Sequence, residues 1–140
     1  MPDPTKITTF LMFDGHAEEA ITLYLSLFND AELIELTRYG PDGPGPAGAC
    51  QLARFSLGGQ IMMATDSIVE HQIGHNPYLS LSVNCDSDQE IERLYRALSD
   101  NGQTPMPLGD YGFSAKFAWV TDRYGVPWQL TLPHPAPADR

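Results

Sequence analysis

The sequence predicts an α+β fold built from two βαβββ modules, and three observations predict it. Strand-like runs bounded by turn residues recur along the chain, each half holds one helix-periodic segment, and the two halves repeat. A displacement of 71 places Leu23, Tyr24 and Leu27 on Leu94, Tyr95 and Leu98, Glu19 on Glu90 and Asp30 on Asn101; a displacement of 66 places Gly59 on Gly125, each at the end of a hairpin turn. A repeat that aligns strand, helix and hairpin in one order marks a duplicated unit that cannot bury its sheet alone. The expected organisation is one domain over residues 1–135, with modules at about 6–66 and 77–132 and a proline-punctuated disordered tail at 133–140.

Residues 7–13, ITTFLMF, have strand composition and stop at Asp14-Gly15, a turn and helix-entry signal. Apolar positions Ala17, Ala20, Ile21, Tyr24, Leu27 and Phe28 then follow one helical face, with Asp14 as the expected cap and Glu18 and Glu19 in the first turn, where the helix dipole favours acids. Residues 33–39 read as a second strand. The stretch GPDGPGPAG, with four Gly and three Pro in nine residues, is a loop, read as an extended arm. Residues 49–57 and 60–65 form a hairpin about Gly58-Gly59. A polar connector, DSIVEHQIGHNP, leads to the second module. That module opens with a strand at 78–84 and a capping box at 87–90, Ser-Asp-Gln-Glu. Its helix should bury Ile91, Leu94, Tyr95 and Leu98 and end at Asn101-Gly102. Strands at 104–108, 116–121 and 126–132 complete it, the last two joined by a tight turn at DRYG.

Composition narrows the function. At 140 residues with 42% hydrophobic side chains, the chain can bury a core without disulfides or a structural metal. Its net charge of −10, with eight scattered cationic residues, opposes nucleic acid and anionic membranes as partners. Cys50 and Cys85 form no spaced framework, and MPDPTKI has neither the basic nor the apolar region of a signal peptide, so a cytoplasmic setting with reduced thiols is expected. No apolar run is long enough to span a bilayer.

Three stretches carry a resemblance: ITTFLMFDGHAEEAITLYLSLF, TRYGPDGPGPAG and KFAWVTDRYGVPWQL, of which VTDRYGVPWQ is the most specific. Over nearly all of residues 6–132 the chain resembles the PhnB-like family, also catalogued as 3-demethylubiquinone-9 3-methyltransferase, within the vicinal oxygen chelate superfamily of glyoxalases, extradiol dioxygenases and bleomycin-resistance proteins. The resemblance implies a curved eight-stranded mixed sheet that cups a ligand, with the helices outside, in a protein that is often a homodimer. Metal-dependent members place a His or Gln early in the first strand of each module and a Glu in its last. Those places fall here on Ile7, Met63, Tyr78 and Gln129, and the two displacements link Ile7 to Tyr78 and Met63 to Gln129. Ile7 and Met63 offer a hard cation no donor, and Gln129 is a weak neutral one, so no metal cofactor is expected.

Other candidates follow from residue type. Arg38 and Arg54 lie in strands, where each either reaches a ligand as an anion clamp or turns to solvent and pairs with the acidic surplus. Tyr39 and Tyr111 are read as lids or core. His71 and His75, near Asp66 and Glu70, have helix-like spacing, but Gly74, Asn76 and Pro77 mark a solvated connector. The GPDGPGPAG loop lacks the G-x-G-x-x-G spacing and opens no helix, so it is no phosphate cradle, and no glycine-rich strand-to-helix turn suits S-adenosylmethionine. The expected cup lining is Thr9, Arg38, Arg54, Met63, Tyr78, Ser80 and Gln129, suited to a small hydrophobic or aromatic ligand. The leading expectation is a metal-free small-molecule-binding protein. The alternatives are a metal-dependent lyase, isomerase or dioxygenase, the methyltransferase of the family name, or a drug-sequestering resistance protein.

Overall fold

The computed structural model describes residues 6–68 and 79–134. The elements run β1 (Thr9–Phe13), α1 (Ala17–Leu27), β2 (Ala31–Arg38), β3 (Cys50–Leu57), β4 (Gln60–Asp66), β5 (Leu81–Asn84), α2 (Asp88–Ser99), β6 (Gln103–Gly109), β7 (Lys116–Thr121) and β8 (Pro127–Leu132). The fold is α+β, with two four-stranded mixed sheets of orders β1-β4-β3-β2 and β5-β8-β7-β6. In each, the first strand pairs parallel with the fourth and the remaining pairs are antiparallel. The chain divides into two compact units, one per sheet. The histidine pair at 71 and 75 and the tail from residue 135 lie outside the described residues.

The repeat is exact at the helices, which begin at Ala17 and Asp88, 71 residues apart. The fall in displacement to 66 lies in the connection before the third strand of each module, eleven residues (39–49) in the first and six (110–115) in the second, a difference of five. The longer loop closes on itself rather than extending as an arm: Tyr39 donates its N–H to Ala49 O, Gly48 donates to Tyr39 O, and the Tyr39 ring packs so closely on Gly45 that a Cβ there would overlap it.

Each helix buries its apolar stripe against one sheet face. In the first unit Ala17, Ala20, Ile21, Tyr24 and Leu27 meet a layer made by Phe13, Ala53, Phe55, Met62 and Ala64, all at most 7% exposed. In the second, Ile91, Leu94 and Leu98 face Ala118, Val120, Trp128 and Leu130; Tyr95 of the expected stripe is only half-buried.

Helix starts differ between the modules. Ser87 caps α2 as expected, its Oγ accepting the Glu90 N–H at 3.1 Å while the Glu90 carboxylate accepts the Asp86 N–H at 2.7 Å. Asp14 does not cap α1. The N-cap is His16, whose side chain makes no capping bond, and Asp14 precedes the turn at Gly15 (φ +88°). The acceptor comes instead from the end of β4: buried Asp66 takes the Ala17 N–H at 2.8 Å and the Cys50 N–H at 2.9 Å, tying α1, β3 and β4 together.

Candidate functional site

Strand alternation gives each sheet a second face, on which no helix of its own unit packs. Ladder registers place one row of side chains across each such face. In the first sheet the row is Phe10, Met63, Arg54 and Glu35, on β1, β4, β3 and β2. In the second it is Ser82, Gln129, Trp119 and Met106, on β5, β8, β7 and β6. One step along, Asn84, Thr131 and Phe117 continue the second face.

The expected lining residues divide accordingly. Met63 and Arg54 are register partners on the first helix-free face, where Arg54 Nη1 donates to Glu35 Oε1 at 2.8 Å. Gln129 is half-buried on the second face between Ser82 and Trp119, while Trp128 turns into the helix layer. Ser80 is exposed just ahead of β5, and Tyr78 lies outside the described residues.

Thr9 and Arg38 stand on the other side. Thr9 is in register with buried Met62 and accepts a bond from Gln60 Nε2 at 3.1 Å. Arg38 forms a two-pronged pair with Glu18 of α1 and rims a cavity of about 290 Å³ between α1 and β2, lined by Ile21, Thr22, Leu25, Leu33 and Leu36. The Arg38 hydrogen bonds hold the Glu18 carboxyl below its usual range, and Glu18 raises Arg38 in turn. Both arginines therefore pair with acids, Arg38 with Glu18 on the helix side and Arg54 with Glu35 on the face that carries Met63. Glu35 was not singled out from sequence; it stands opposite Arg54 in the ladder between β2 and β3.

Of the four places where metal-using relatives carry donors, Ile7 is exposed ahead of β1, Met63 gives a thioether and Gln129 an amide. Those three do not fit a hard divalent cation, and the fourth, Tyr78, lies outside the described residues. Among the described residues no three His, Cys, Asp or Glu side chains come together. The two thiols are buried: burial, with Asp66 beside it, pushes Cys50 up to about 11, and burial, with Glu90, pushes Cys85 up to about 12, so neither supplies a thiolate near neutrality. No helix among the described residues is long and apolar enough to cross a membrane.

Similarity to known proteins follows the same architecture. A structure from Bacillus cereus described as a PhnB protein is 48% identical, with a TM-score of 0.88 over 91% of this chain and 99% of that one. Protein PA1353 of Pseudomonas aeruginosa is 32% identical, with a TM-score of 0.78 over 93% and 98%. A glyoxalase/bleomycin resistance protein/dioxygenase domain from Frankia sp. EAN1pec shares the fold, at a TM-score of 0.63 and 13% identity over 96% of this chain and all of the other. The family model described as 3-demethylubiquinone-9 3-methyltransferase matches residues 5–131. With that match over almost its whole length, the chain belongs to the PhnB-like 3-demethylubiquinone-9 3-methyltransferase family.

Proposed function

We propose that this protein binds a small, largely apolar molecule on the helix-free faces of its sheets, and does so without a hard divalent metal. The observation that carries the proposal is the exposure of Phe10 and Met12, 52% each, on a sheet face that would be polar if its only task were to meet water. Met63 lies beside Phe10, and Arg54 is already committed to Glu35. On the second face Trp119 supplies apolar area, with Gln129, Ser82, Asn84 and Thr131 as uncharged hydrogen-bonding groups. Arg54, Met63, Ser80 and Gln129 are the binding residues this reading retains. Two buried free thiols suit the cytoplasm, and the protein is proposed to act as a homodimer.

The test combines melting curves with two-dimensional NMR on the full chain, using a library of neutral aromatic and aliphatic fragments, Mn²⁺, Ni²⁺, Zn²⁺ and S-adenosylmethionine. A fragment at one hundred times its Kd adds roughly 2.7 kcal/mol of stability, a rise of roughly 5–10 °C for a chain of this size. The expected shifts fall on the Gln129 side-chain amide and the Met63 methyl. A metal-dependent rise abolished by Gln129→Ala refutes the metal-free part, and calorimetric binding of S-adenosylmethionine favours methyl transfer instead. Fragment shifts confined to the helix-bearing faces overturn the placement.

A further inference from the structure

We propose that the loop at residues 110–115 carries a ring-stacking subsite for an uncharged planar aromatic molecule, formed by Tyr111, Phe113 and Phe117. The proposal rests on the sheet-face reading above, because Phe117 stands on the second helix-free face in register with Thr131. Phe113 is 61% exposed and Tyr111 43%, an apolar surface that the fold leaves open while it buries Phe117 to 7%.

The rings are held in place. Tyr111 donates its hydroxyl to the Pro107 carbonyl, and a side chain at Gly109 would touch the Tyr111 ring, so the ring is seated on the end of β6. Asp110 Oδ1 accepts the Gly112 N–H at 2.9 Å, and Gly112, at φ +101°, turns the chain back so that Phe113 returns over Phe117. Beyond it, buried Ser114 donates to Lys116 O at 3.0 Å and Ala115 donates its N–H to Leu132 O at 2.9 Å. A surface ordered before the ligand arrives avoids the entropy loss that a slack loop would suffer on binding.

Ring orientation specifies the occupant. Tyr111 and Phe113 lie within 17° of parallel, and both meet Phe117 edge-on, at 89° and 72°. A flat ring parallel to the first two stacks on an exposed face without disturbing the edge contacts, whereas an aliphatic ligand gains nothing from that alignment. Asp110 and the net charge of −10 disfavour an anion, and the neighbouring Lys116 is engaged by Asp88 at 2.8 Å and Glu92 at 3.9 Å. Trp119 is two residues along β7 from Phe117, about 6.8 Å away, and its register partner is Gln129. Gln129 is thus the nearest uncharged amide along the same sheet face that the register offers to a ring substituent.

The experiment measures binding of 2-naphthol, decahydro-2-naphthol and 2-naphthoate to the full chain by calorimetry and NMR, for wild type, Phe113→Ala, Phe113→Leu and Gln129→Ala. Expected are 2-naphthol binding with ring-current shifts at Tyr111 and Phe113, weaker binding of the saturated and anionic analogues, and a loss of about 3- to 10-fold in Phe113→Ala that Phe113→Leu does not restore. The wild-type ring-current shifts keep the test decisive if a variant does not fold. Equal affinity for the saturated analogue, or an unchanged Phe113→Ala, overturns the subsite. If Gln129→Ala loses 2-naphthol while Phe113→Ala retains it, the subsite falls and the sheet-face reading stands; if neither matters, both fall. A Phe113→Ala change in sedimentation without a change in 2-naphthol affinity identifies the patch as a contact between copies and also overturns the proposal.

Discussion

Replacing Asp122 should destabilise the protein more than any surface change, because one buried carboxylate closes the last hairpin. Asp122 is 3% exposed. Its Oδ1 accepts the Tyr124 and Val126 N–H groups at 2.9 and 3.0 Å, and its Oδ2 accepts Trp128 Nε1–H at 2.9 Å. Asp122→Ala leaves two amides and an indole N–H to find new acceptors, one of them on a residue 2% exposed. At about 1–3 kcal/mol for each buried group stranded, and with water reaching the turn amides, the loss should be about 3–5 kcal/mol. That is a drop of roughly 6–20 °C in melting temperature for a chain of this length. Asp122→Asn keeps one carbonyl acceptor and should lose less. Urea unfolding followed by tryptophan fluorescence gives the free energies, and Trp128→Phe with the double variant isolates the indole bond as a coupling of about 1–2 kcal/mol. A loss below about 1 kcal/mol for Asp122→Ala would show that the hairpin does not depend on this carboxylate and would refute the reasoning.

Asp66→Ala should behave similarly, losing about 2–4 kcal/mol because the Ala17 and Cys50 amides lose their acceptor at the start of α1, and amide exchange at Ala17 should accelerate first. Arg38→Ala should move the melting temperature by no more than about 2 °C, since both partners are roughly half exposed. Because Glu18 titrates below its ordinary value in the folded state, that small contribution is present above pH 4.5 and disappears as pH falls through the folded value; a gap between variant and wild type that widens in acid would contradict the pairing. At pH 8 both thiols of the native protein should react with iodoacetamide at least about 100-fold more slowly than in urea, and a fast-reacting native thiol would place Cys50 or Cys85 outside the core.

What could be read from the sequence is what local chemistry and repetition control. The start of α2 with its Ser87 cap, the Gly58-Gly59 turn and strands β3, β4, β7 and β8 all follow from periodicity, turn residues and the displacements. Facing was harder wherever a ladder slips. Counting outward from Leu33, whose partner Phe55 is buried, puts Arg38 on the helix-free face; a register shift between Leu33 and Glu35 reverses the alternation and returns Arg38 to α1 and Glu18. Asp66 as the acceptor for α1 was equally hidden, since the bond joins residues 49 apart and nothing in the local sequence announces it.

The two modules repeat their helix-bearing faces and diverge on the others, and that asymmetry bears on function. On the buried side, Leu27 recurs as Leu98, as shared packing demands. On the helix-free side, equivalent strands carry opposite characters. Phe10 and Met63 on the parallel pair of the first sheet correspond to Ser82 and Gln129 in the second; the Arg54–Glu35 ion pair on the next two strands corresponds to Trp119 and Met106. Packing alone would have tolerated two similar faces. Each face taken by itself sets apolar side chains beside hydrogen-bonding ones, Phe10 and Met63 next to Arg54 in the first sheet and Trp119 next to Gln129 in the second, and that unevenness is the chemical property on which the fragment experiments discriminate.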